Sequence, residues 1–90
     1  MDPDAAIDLF VDAVKDGEAA LKERDETEMY DPDIDARIID ASDEALEHFE
    51  NVNAWISGGG FRPKKLAKFQ KWTNRFSSLS ETAGMLEGTL

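Results

Sequence analysis

Across residues 31–57 an apolar side chain returns at every third or fourth position: Ile34, Ile38, Ala41, Ala45, Phe49, Val52 and Ile56. At about 100° per residue these seven fall on one stripe. Asp35, Asp43, Glu44, Glu47 and Glu50 lie away from its centre, so the pattern predicts a half-buried helix over about 32–57. Asp31 is suited to the N-cap, Pro32 to the first helical position, and Asp33 to the positive end of the helix dipole. Gly58, Gly59 and Gly60 supply the stop, since glycine enters left-handed conformations without steric penalty. Such a helix would be about 39 Å long at about 1.5 Å per residue, longer than its neighbours. Asn51 and Asn53 are weak helix formers and leave an earlier end near Glu50 as the alternative.

Two shorter periodic segments flank it. Ile7, Phe10, Val11, Val14 and Leu21, widened by Ala6, Ala13 and Ala20, predict a first helix over about 3–22. Asp4 and Asp8 near its start and Lys22 and Arg24 near its end suit the dipole. Gly17 marks a weak point, or a place where another backbone comes close. Leu66, Phe69, Trp72, Phe76 and Leu79 predict a third helix over about 63–79, opened by Pro63. Arg62 as its N-cap would let Phe61 and Leu66 form a hydrophobic staple. Ser77, Ser78 and Ser80 predict a break, and a short tail over 80–90 carries Met85 and Leu86. In the acidic connection before the second helix, Met29 and Tyr30 are expected to pin the loop to the core. The fold expected is all-α: a three-helix antiparallel bundle built on helical hairpins, with a short C-terminal helical tail, over a single domain 1–90.

Composition narrows the functional classes. Cysteine is absent, which excludes a disulfide framework, a thiolate nucleophile and a Cys-based zinc site. The first residues, MDPDAAIDLF, lack the basic and apolar regions of a signal peptide, and no stretch is apolar enough to span a bilayer. A cytoplasmic location, free or within a particle assembled in the cytoplasm, and no membrane partner are therefore expected. The net charge of −10 is unevenly placed. Residues 1–50 hold 18 Asp and Glu against Lys15, Lys22, Arg24 and Arg37, whereas residues 51–90 hold only Glu81 and Glu87 against six bases.

Those bases form a second pattern. Lys64, Lys68, Lys71 and Arg75 step by four, three and four along one line of the third helix, with Lys65 beside them. Lys64 and Lys65 also fall in its first turn, where cations are disfavoured by about 0.3–1 kcal/mol each. Some anion should compensate: the chain's own acidic helices, a neighbouring copy or another protein, or nucleic-acid phosphate. A chain this acidic repels a polyanion, which makes nucleic acid the weakest of the three. Trp72 stands where the apolar and basic faces meet, and Trp55 lies off the main stripe near the glycines. Each either caps the core or, if exposed, anchors an interface.

The chemistry-bearing patterns fail on spacing. Asp31, Asp33 and Asp35 open like a calcium loop, but Ala36 and Ser42 stand where glycine and glutamate are required. His48 is the single histidine, and Ala45 stands where a di-metal helix needs glutamate. No nucleophile elbow, phosphate loop or dinucleotide fingerprint is present. No catalytic residue, cofactor or metal is assigned.

The resulting expectation is a non-enzymatic interaction or assembly protein that partners another protein or its own copies, as a homo-oligomer or part of a larger assembly. By analogy it suits a virion, tail-assembly or accessory component of a phage or mobile element. Its docking surface is expected on Lys64, Lys65, Lys68, Lys71, Arg75, Trp72, Trp55 and Phe61. Two alternatives are an acidic nucleic-acid mimic that inhibits a basic protein, and a nucleic-acid-binding accessory protein acting through the third helix. The mimic reading requires surface carboxylates in regular array and a neutralised lysine stripe.

Overall fold

Three helices lie side by side: α1 (Pro3–Glu26), α2 (Pro32–Ser57) and α3 (Leu66–Thr89). The computed structural model describes residues 3–59 and 63–89. Helix α2 runs antiparallel to α1, as the Phe10–Phe49 and Arg24–Asp35 contacts show. Helix α3 runs parallel to α1, because Lys65 meets Asp8 and Arg75 meets Glu18 in the same order along both chains. The protein is an all-α, up-down-up bundle of 47 × 21 × 19 Å. Its radius of gyration, 14.1 Å, exceeds the roughly 12 Å of a rounded domain of this length, and the shape is a short rod.

The core forms where the three stripes meet. Ile7, Phe10, Val14, Ile38, Val52 and Leu79 are almost wholly buried. Phe10 is its centre, with ring centroids 6.0, 5.2 and 5.5 Å from those of Phe49, Phe69 and Phe76. Small residues (Ala6, Ala13 and Ala20 on α1, Ala41 and Ala45 on α2) let the first two helices approach closely along their whole length.

Local signals set several helix ends. The Asp31 carboxylate accepts the Asp33 N–H at 2.9 Å and starts α2. At its other end the Gly58 N–H donates to the Ala54 carbonyl, and Gly59 takes φ +81°, the left-handed turn expected of the glycines. Helix α1 runs one turn beyond the expected end, to Glu26, where the Thr27 hydroxyl donates to the Glu23 carbonyl at 2.7 Å.

Four expectations are corrected. First, α3 begins at Leu66, so Lys64 and Lys65 lie in a turn ahead of the helix, not in its first turn. Second, α3 passes through Ser77, Ser78 and Ser80 without a break and continues to Thr89. The burial of Leu79, Ala83 and Leu86 outweighs the weak propensity of the serines, and the Thr82 hydroxyl turns back onto the Ser78 carbonyl. Third, Met29 and Tyr30 are 81% and 69% exposed and do not pin the loop. The Arg24–Asp35 pair crosses there instead, and it makes Asp35 a buried residue rather than part of the polar face. Fourth, what approaches Gly17 is a side chain, Leu79, not a backbone. The proposed Arg62 cap and Phe61 staple lie outside the described residues.

Candidate functional site

The basic row meets acids on α1. The Asp4 carboxylate accepts the Lys65 backbone N–H at 3.1 Å, so a residue of α1 caps the approach to α3. The Asp8 carboxylate pairs with the Lys65 ammonium and stands 3.4 Å from that of Lys68. Glu18 receives Arg75 in a two-pronged bond, Nε to Oε2 at 2.9 Å and a terminal nitrogen to Oε1 at 2.7 Å. The Arg75 guanidinium also stacks on Trp72 at 4.0 Å, and the Lys15 ammonium approaches the same ring at 5.5 Å. The Lys65 hydrogen bond holds the Asp8 carboxyl below its ordinary range; desolvation opposes it, and the Lys68 hydrogen bond and then the charges of Lys65 and Lys68 lower it further.

Three of the expected docking cations, Lys65, Lys68 and Arg75, are thus engaged within the molecule. Trp72 is only 9% exposed and belongs to the core, so it is not an exposed anchor. Lys64 and Lys71 point to solvent. Trp55, 37% exposed, stands on the last turns of α2. Phe61 lies outside the described residues.

Between α2 and α3 runs a solvent-open groove of about 590 Å³, lined by Phe49, Asn53 and Ile56 on one wall and Leu66, Phe69, Gln70 and Thr73 on the other. Phe69, its centroid 5.6 Å from that of Phe49, closes the floor, and Phe76, 5.5 Å from Phe49, packs in the core. The Thr73 hydroxyl donates to the Phe69 carbonyl at 2.8 Å, which turns its polarity away from the groove. Two amides, Asn53 and Gln70, remain as polar groups at the lips. Leu46, 42% exposed, stands one turn before Phe49 and extends the apolar stripe. Ile56, 39% exposed, completes it at the far end.

Sequence reasoning placed Ile56 and Phe49 in the core and did not foresee the groove. One signal was available: a second helix about 39 Å long exceeds its expected neighbours, so part of its apolar stripe has no helix to cover it.

Elsewhere the chemistry stays bland. Asp31 caps α2 and Asp35 pairs with Arg24, so the acids of the calcium-like alternation serve separate local roles. Among the described residues no cluster of three potential metal ligands occurs, and no helix is long and apolar enough to cross a membrane. His48 stands 4.0 Å from Glu44 through Nε2, and its Nδ1 is buried without a hydrogen-bond partner. No protein-family profile, no curated protein and no solved structure matches the chain.

Proposed function

We propose that this protein is a non-enzymatic interaction module whose α2–α3 groove receives an amphipathic helix from another protein, as a component of a larger assembly. The observation that carries this reading is the open apolar groove. Phe49, Asn53 and Ile56 line its α2 wall at steps of four and three, and the exposed Leu46 stands one turn before them on the same helix. A fourth helix set there would bury Leu46 and Ile56 and complete a four-helix arrangement. Helix-in-groove recognition uses anchors at this spacing. The lysine row contributes differently from the initial expectation: through Asp8 and Glu18 it positions α3, and only Lys64 and Lys71 of that row stay available to a partner.

The test is an NMR titration with an uncharged amphipathic peptide carrying leucine at helical spacing and glutamine elsewhere. Shift changes confined to Leu46, Phe49, Asn53, Ile56 and Gln70, and lost in Ile56→Ser, support the reading. No binding, or binding that Ile56→Ser leaves unchanged, overturns it.

The nucleic-acid-mimic alternative has one specific observation in its favour. Lys65, Lys68 and Arg75 are neutralised internally while α2 displays Asp40, Asp43, Glu44, Glu47 and Glu50. On that reading the acidic outer face of α2, rather than the groove, meets a basic protein.

A further inference from the structure

The groove has a charge as well as a shape. After Arg37, α2 carries Asp40, Asp43, Glu44, Glu47 and Glu50 and no lysine or arginine. Among the described residues none of Asp40, Asp43, Glu47 or Glu50 is in an ion pair. None of the residues lining the groove is charged, but Asp43, Leu46, Glu50 and Asn53 step by three, four and three, so two carboxylates stand on the row of α2 that reaches the groove at Asn53. The facing row on α3, Leu66, Gln70, Thr73 and Ser77, has no charge at all. The cations of α3 belong to the opposite flank, where Asp8 and Glu18 hold three of them. The cleft therefore has an apolar floor and amide lips, with carboxylates flanking it on the α2 side and no charge on the facing row of α3.

We infer that the occupant of this groove is a basic amphipathic helix of a different protein, with leucine-like anchors toward Phe49, Ile56 and Leu66 and Lys or Arg against Asp43 and Glu50. This rests on the groove reading above and adds the charge of the partner. A second copy of the chain is a poor occupant. It brings the same −10 charge, and three cations of its row, Lys65, Lys68 and Arg75, are already paired with its own α1. Leu46 to Ile56 covers about 15 Å of helix at about 1.5 Å per residue, so the occupant needs about three turns. Unpaired carboxylates beside a low-dielectric floor attract such a segment from a distance and set its direction in the groove.

Three peptides of roughly 18 residues, identical in their leucines and carrying Lys, Gln or Glu at the polar positions, test the inference on the whole protein by calorimetry at low and high salt. The lysine peptide is expected to bind about tenfold or more tighter than the glutamine peptide at low salt, with the advantage largely gone at about 1 M salt. The glutamate peptide should not bind. Ile56→Ser and Leu46→Ser, which leave the charge untouched, should each weaken the lysine peptide severalfold, whereas Met85→Ser at the far end should not. Asp43→Asn/Glu50→Gln should remove the lysine preference without weakening the glutamine peptide. Equal binding of the lysine and glutamine peptides overturns the inference and leaves the groove reading standing. Lysine-peptide binding insensitive to Ile56→Ser means attraction to the acidic surface alone, and overturns both. So does dimerisation in light scattering that Ile56→Ser abolishes, because a second copy would then fill the groove.

Discussion

Leu79 closes over Gly17: a Cβ at residue 17 would stand 2.5 Å from Leu79 Cδ2 and 2.8 Å from Cδ1. Leu79 is 1% exposed, so its side chain has little room to yield. The missing side chain of Gly17 lets α3 lie close to α1, on the flank where Glu18 and Arg75 meet.

Gly17→Ala sets a helix-propensity gain of up to about 1 kcal/mol against overpacking of about 1–3 kcal/mol. A net loss of about 1 kcal/mol is expected in urea denaturation. In a Leu79→Ala background the same substitution should become neutral or stabilising, the coupling expected of residues in contact. Gly84→Ala offers the contrast, since nothing lies within 4 Å of a Cβ there. It should stabilise by about 0.5–1 kcal/mol. A stabilising Gly17→Ala in the wild-type background would show that the contact is not a constraint.

The Asp8 carboxyl is held low by Lys65 first and Lys68 second. A carboxylate with a depressed folded pKa stabilises fully above its unfolded value, about 4, and loses that contribution as the pH falls through the folded value. Asp8→Asn should therefore be less stable than wild type near neutral pH, with the two converging in acid. Because the pair is open to water, the difference should also shrink at about 1 M salt. Urea melts across that pH range decide it, and a difference that persists unchanged in acid would sink the assignment.

Arg24 and Asp35 differ in exposure: their side chains are 44% and 6% accessible, with Nε 2.8 Å from Oδ1. Removing a partner from a fully buried pair costs about 3–5 kcal/mol. Water around Arg24 reduces this to about 1–2 kcal/mol for Arg24→Ala. Arg24→Ala/Asp35→Ala should recover part of the loss, since no carboxylate is then left buried alone. A double mutant as unstable as the sum of the two singles would refute this account.

Phe10 is the ring that joins α1 to both other helices. Phe10→Ala should cost about 3–5 kcal/mol, a large share of the roughly 5–13 kcal/mol available to a chain of this length. Phe10→Leu should cost less, about 1–2 kcal/mol. Thermal unfolding followed by circular dichroism separates them.

The periods, caps and glycines along the chain were enough to determine three helices, their order and most of the residues that bury. These signals are local: a stripe is legible at steps of three and four, and Asp31 caps a residue two positions away. They also showed that the cations ahead of and along the third helix needed anions. Which anions, and therefore how α3 is registered against α1, only the tertiary structure decided. The Asp8–Lys65 contact joins residues 57 positions apart, and no periodicity encodes such a pairing when the first half of the chain offers 18 acids to choose from. Packing between the helices also settled two matters that local propensity misjudged. It kept Ser77 to Ser80 helical by burying Leu79 and Leu86, and it uncovered Ile56 and Leu46 on α2. A helix's apolar stripe states what can be buried; the position of its neighbours decides how much of it is.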